Sequence, residues 1–377
     1  MKNRRIDMPA NLASTPKNER VYTRQLAFIA AFLLPMGKLL EAPSILARSA
    51  QGDLLLPAIL HFLLQSLLLL SVLFACSQSE QTLLERLENK LGKWTVLFYV
   101  LYGVYFLFAA VLPLLDMEKF VYAAFFDTAP STFSFAVFFF FSAYACAKGF
   151  KSIGRSGDIS LFLFLLPFFA LVLMSFSASD FSSLLPLFGT DFKQSLTAFS
   201  DSTPYFSDVV LLLPLLASHR YKKNDGVKIA AGYWSGAAFT LLFLSIFYGV
   251  YSTIAPRQHY AFSKIAQYFP ALNVIGRIDL LLVYLLTIIL LFYTVLPLQH
   301  FTELTARILN TKRKALISAL LNLALLFAVL FLNRFYNLFH SLIERKLSLV
   351  FWLVADLLPL FFLLLPKKPQ KRRPLYA

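Results

Sequence analysis

Leu33–Pro43, read as LLPMGKLLEAP, interrupts the first long apolar stretch of the chain and decides how the rest is read. A run that would otherwise cross a bilayer as one helix carries Pro35 and Gly37 at its middle, then Lys38 and Glu41. Proline removes a backbone donor and clashes with the preceding turn, so the helix unwinds locally. Unwound backbone survives at membrane depth only where it faces protein or a water-filled cavity. Each charge at mid-bilayer costs roughly 2.5 to 3.5 kcal/mol on insertion scales, so a polar partner must meet it. A broken first helix at a polar cavity is a transporter-like arrangement.

The composition agrees with a membrane reading. Of 377 residues, 58% are hydrophobic and only 15% charged, with a mean hydropathy of +0.67. That excludes an ordinary water-soluble globule and predicts an all-α polytopic membrane protein. The net charge of +15 does not point to nucleic acid, because the Lys and Arg sit in short loops between apolar runs, where they report orientation. Residues 1–20 carry no apolar stretch ahead of a cleavage site and read as a basic, disordered cytoplasmic tail. Residues 21–366 form a single transmembrane domain, and 367–377 a second basic tail.

At about 20 apolar residues per crossing, ten spans are predicted, near 25–47, 54–75, 94–125, 131–147, 160–177, 205–218, 228–252, 278–298, 314–332 and 347–365. Most of the 35 Lys and Arg fall in the even-numbered connections and the two tails, which places both termini in the cytoplasm. The opposite connections are acidic or mixed, with Asp116, Glu118 and Asp127 in one and Asp180, Asp191 and Asp201 in another. Cys76 and Cys146 fall at cytoplasmic ends, so no disulfide is expected. The His residues, at 61, 219, 259, 300 and 340, lie too far apart for a metal motif, and no cofactor is implied.

Two connections stand out. SEQTLLERLENKLGKW (79–94) gathers Leu83, Leu84, Leu87 and Leu91 on one helical face and predicts an interfacial helix. Between the seventh and eighth spans, Pro256 to Ile275 is semi-polar and too long for a tight turn. They follow the second and seventh spans, five apart and on opposite sides of the membrane. The short sixth span, TPYFSDVVLLLPLL (203–216), likewise stands five after the broken first. Two inverted five-helix repeats account for both coincidences.

In such folds the ligand lies near the midplane between discontinuous helices, so the candidate site is Pro35, Met36, Gly37, Lys38 and Glu41 on the first span. On the sixth it is Tyr205, Phe206, Ser207 and Asp208, with Pro214 beyond. Lys38 has two candidate counter-charges: Glu41, three residues on along one helical face, and Asp208 across the two breaks. Asp356 in the last span must face protein or water, and Arg277 and Asp279 open the eighth. The 41 Phe read as lipid-facing or packing residues.

The chain resembles the spore germination permeases, the integral B subunits of nutrient germinant receptors within the amino acid, polyamine and organocation transporter superfamily. The resemblance is carried, in order, by YTRQLAFIAAFLLPMGKLL (22–40), LENKLGKWTVLFYVLYGVYFLFAAV (87–111), FDTAPSTF (126–133), GFKSIGRSGDI (149–159), SSLLPLFGTDFKQSL (182–196) and YFPALNVIGRIDLLLVYLLTI (268–288). It implies a LeuT-like inverted-repeat fold and a bacterial cell membrane or spore inner membrane. It also implies partnership with A and C type receptor subunits and a small nutrient ligand of the amino acid class. Lys38 departs from the small residues usual after the first break, and the Arg-Leu-Glu-like signature of the eighth span appears as Arg277, Ile278 and Asp279. Two functions follow: a ligand-sensing permease subunit, or a stand-alone amino acid or polyamine permease working by alternating access. A membrane enzyme would need a clustered His, Asp or Glu constellation, and the sequence offers only pairs such as Asp116 with Glu118.

Overall fold

The computed structural model describes residues 21–78, 81–125, 131–185, 189–222, 224–267, 278–342, 350 and 353–361. Among them the secondary structure is helical throughout, with no strand. Six helical stretches are long and apolar enough to cross a membrane: Leu55–Ser77, Leu83–Phe120, Phe150–Phe176, Asp225–Arg257, Val283–Ile308 and Lys314–Asn333. Two shorter apolar helices, Thr23–Met36 and Ala136–Lys148, join them. The tenth expected span, the two tails, Arg277 and the end of the 256–275 connection lie largely or wholly outside the described residues, as does the side chain of Asp279.

The first span is broken where its sequence predicts. Helix α1 (Thr23–Met36) ends one residue past Pro35, residues 37–41 are non-helical, and α2 (Ala42–Ala50) resumes with Pro43 in its first turn. The N–H groups of Lys38 and Leu39 turn back onto the Pro35 carbonyl at 2.8 and 3.1 Å, which closes the end of α1.

Helix α3 (Leu55–Ser77) shows membrane amphipathicity, with its polar side turned inward. Leu63, Leu67, Leu70 and Phe74 are exposed along one face, whereas His61, Gln65 and Ser66 are buried. Helix α4 (Leu83–Leu91) starts with a reciprocal cap, Thr82 N–H on Glu85 and Glu85 N–H on the Thr82 hydroxyl. Its Leu83, Leu84 and Leu87 are buried against protein, and Arg86 donates to the Ala75 carbonyl at 2.7 Å, so this helix docks on the bundle. Helix α5 (Thr95–Phe125) runs on through Pro113, and at 1.5 Å per residue its 31 residues exceed the roughly 30 Å bilayer core. Asp116 and Glu118, expected in an outer connection, are buried within it.

Helices α6 (Ser131–Lys148) and α7 (Phe150–Phe176) complete the first half. The sixth span differs from its prediction. Helix α8 (Phe192–Ser202) occupies what reads as an outer connection, and the break falls at residues 203–207, before α9 (Asp208–Ser218). Pro214 therefore sits inside the continuous α9 and not at the break. Helix α8 is polar in composition, but its Ser195, Ala198 and Ser202 recur at helical spacing and are buried, and it packs against α2 and α3.

Helix α10 (Asp225–Tyr251) carries Gly232 and Gly236 against α1. A Cβ at Gly232 would run into the Ala27 carbonyl, and one at Gly236 would lie 2.7 Å from the Ala30 carbonyl oxygen. Small residues four apart let two membrane helices approach to backbone contact. Helix α11 (Ala261–Gln267) belongs to the second special connection. Helix α12 (Ile278–Ile308) packs on α5, α6 and α7 as well as α1, while α13 (Lys314–Asn333) lies at the periphery against α6.

Candidate functional site

The two breaks face one another, and each is held by a neighbour that satisfies its backbone. At the first, the freed carbonyls of Leu40 and Leu39 accept from the N–H groups of Ala261 and Phe262 at 2.9 and 3.1 Å. At the second, α3 supplies both anchors one turn apart. His61 Nε2 donates to the Phe199 carbonyl at 2.9 Å and lies 3.0 Å from the Ser202 hydroxyl. Gln65 Oε1 accepts from Val209 N–H at 3.1 Å. Gln65 also donates to Asp356 Oδ1 at 2.5 Å, which gives the last span's carboxylate the polar neighbour its sequence demands. Two polar residues four apart in the otherwise leucine-rich LLPAILHFLLQSLL (55–68) were the available signal for this role.

Lys38 bridges the breaks. Its ammonium pairs with Asp208 and donates to the Leu34 carbonyl at 3.1 Å, with side chains only 1% exposed on both members of the pair. The Phe206 and Phe62 rings lie 5.1 and 5.8 Å from Nζ and add cation–π attraction. Asp208 opens α9, where the helix dipole favours a negative charge. Glu41 is not the partner of Lys38: its Oε2 lies 3.0 Å from Nδ1 of His259, a residue of the same connection that caps Leu39 and Leu40.

Beside this pair lies a pocket of about 660 Å³, its open mouth included. The first break contributes Gly37, Leu40 and Glu41, the second Pro204, Tyr205 and Ser207. Helix α5 adds Tyr105, Phe108 and Asp116, and α12 adds Leu290 and Tyr293. Of the residues singled out in the sequence, Gly37, Glu41, Tyr205 and Ser207 line it, whereas Pro35, Met36, Lys38, Phe206 and Asp208 are buried outside its lining. Gly37 has a φ of −61°, which any residue adopts; what requires glycine is the Tyr293 ring, into which a Cβ would project. Asp116 accepts from the Tyr336 hydroxyl at 2.8 Å, and Glu118 from Asn333 at 3.1 Å. The walls from α5 and α12 have no distinguishing local pattern, apart from an acid beyond Pro113 in an apolar helix.

The family model for spore germination proteins of the spore permease type matches residues 20–336. The chain belongs to the spore permease family. Its helices also superimpose on solved transporters at low identity. MhsT in complex with L-phenylalanine is similar with a TM-score of 0.56 and 14% identity, over 92% of this chain and 98% of that one. A manganese transporter variant from Eremococcus coleocola is similar with a TM-score of 0.58 and 14% identity, over 92% and 81%. No curated protein matches the sequence. At such identities the likeness shows the fold alone, and the fold is that of LeuT-type transporters. This spore permease is accordingly an integral membrane permease and not an enzyme.

Proposed function

We propose that this spore permease is the integral subunit of a nutrient germinant receptor. In this reading it binds a small nutrient of the amino acid class in the pocket between the two breaks and passes occupancy to A and C type partner subunits. Its place is the spore inner membrane, with both termini cytoplasmic. The observation that carries the reading is that both discontinuous helices reach one cavity of small-molecule size and are joined behind it by the Lys38–Asp208 pair. A ligand touching Gly37, Glu41, Tyr205 and Ser207 at once bears on both halves of the bundle, and its differential affinity shifts their relative positions.

The test uses spores in which the chain is replaced by Gly37→Leu. The variant is expected to reach the membrane at normal abundance and to abolish the nutrient response, because the side chain collides with Tyr293 at the pocket wall. A normal response would remove the pocket from this reading. Uptake of amino acids by the purified chain alone in proteoliposomes, without partner subunits, would replace the receptor reading with the stand-alone permease.

A further inference from the structure

The charges around the pocket are not those expected for a zwitterion. In broken-helix sites the half-helix N-termini offer positive ends to a ligand's anionic group. In this chain both N-termini already carry carboxylates of the protein. Glu41 is the N-cap of α2, and Asp208 is the first residue of α9. The backbone donors there are also committed or missing: Val209 N–H goes to Gln65, Ser44 N–H to the Glu41 carbonyl, and Pro43 has none.

The lining repeats the same sign. Its two charged side chains, Glu41 and Asp116, are both acids and both almost completely buried. Lys38 is sequestered by Asp208 outside the lining, and His259, more than half exposed, sits on Glu41 and does not line the pocket. Tyr105, Phe108, Tyr205 and Tyr293 add aromatic surface, which suits a cation with an apolar body. Among the described residues no three His, Cys, Asp or Glu side chains come together as a metal-binding group, so the arrangement suits an organic cation.

We propose that the pocket selects organic ammonium ions lacking a free carboxylate beside the ammonium, with Glu41 and Asp116 as counter-charges. This deepens the reading above and rests on the pocket being the ligand site. A ligand carboxylate would stand next to two buried acids with no basic residue in the lining to meet it, and like charges at close quarters are strongly disfavoured.

The experiment measures binding to the purified full chain in detergent by calorimetry, with matched series on two bodies. One is phenylethylamine, L-phenylalanine and phenylpropionate; the other is butylamine, norvaline and pentanoate. Each amine is expected to bind at least about tenfold more tightly than its amino acid, a difference of about 1.4 kcal/mol, and the carboxylates not at all. Asp116→Asn should lower amine affinity by a similar factor and narrow the gap to the amino acid. Amino acids binding as tightly as the amines, or any carboxylate binding, would overturn the cation preference while leaving the pocket a ligand site. No binding by any member to chain that still unfolds cooperatively would overturn the pocket itself. Unchanged amine affinity in a folded Asp116→Asn variant would remove that residue as a counter-charge.

Discussion

Lys38 and Asp208 are 170 residues apart, and each is intelligible only with the other. Removing one member of a buried ion pair leaves an uncompensated charge, which costs about 3 to 5 kcal/mol, whereas replacing both with apolar groups of similar volume is close to neutral. Lys38→Met and Asp208→Leu are therefore each expected to lower the thermal stability of the purified chain sharply. The double variant should recover most of the loss. Strictly additive losses would sever the bridge. Gly37 gives a second residue-scale case. Gly37→Ala should destabilise because its methyl meets the Tyr293 ring, and Tyr293→Leu in the same chain should relieve it. Failure of that rescue in the same unfolding assay would locate the conflict elsewhere. That Lys38 needed a partner was legible in its apolar surroundings. Which partner was not, because Glu41 and Asp208 were equally available as carboxylates until His259 was seen to hold the first.

At the scale of elements, the broken helices persist because neighbours complete their hydrogen bonding. Ala261 and Phe262 donate to the two carbonyls that the first break frees, so their amides should exchange slowly with deuterated solvent although they belong to a connection. Ala261→Pro deletes one donor. It should cost on the order of 1 to 3 kcal/mol and speed exchange at Phe262, because a buried acceptor is left unpaired. Rapid exchange in the parent chain would contradict the capping. The α1–α10 contact makes a different demand. Gly232→Val places side-chain atoms where the Ala27 carbonyl lies, so loss of folded protein from the membrane is expected. In that respect it contrasts with Gly37→Leu, where abundance survives. The glycine pair was present in GYWSG (232–236), but the surface it approaches is a tertiary fact.

For the whole molecule, orientation is the property that loop charge predicts and that labelling can check. Cys76 and Cys146 are both buried, so an impermeant thiol reagent should spare them on either side of the membrane. They provide a silent background for added cysteines. Lys193 on α8 and Lys312 ahead of α13 are exposed. With both termini cytoplasmic, Lys193→Cys should label in intact cells and Lys312→Cys only after permeabilisation. The reverse pattern would invert the orientation.

By itself the sequence determined the membrane class, the all-helical fold, the break at Pro35 and Gly37 and its relation to a second break some 170 residues later. Hydropathy and proline chemistry act locally and are written in consecutive residues. The tertiary structure alone decided the rest. Helix α8 reads as a polar connection because half of its surface faces away from the bundle, and only packing against α2 and α3 shows why Ser195, Ala198 and Ser202 recur as they do. His61 and Gln65 acquire meaning once the second break lies against them. Asp116 and Tyr293 become pocket walls only when α5 and α12 close around the breaks. In a bilayer the apolar positions that dominate the sequence face both lipid and protein, so periodicity distinguishes the two weakly, and the inward-facing polar groups are matched across distances that no local pattern records.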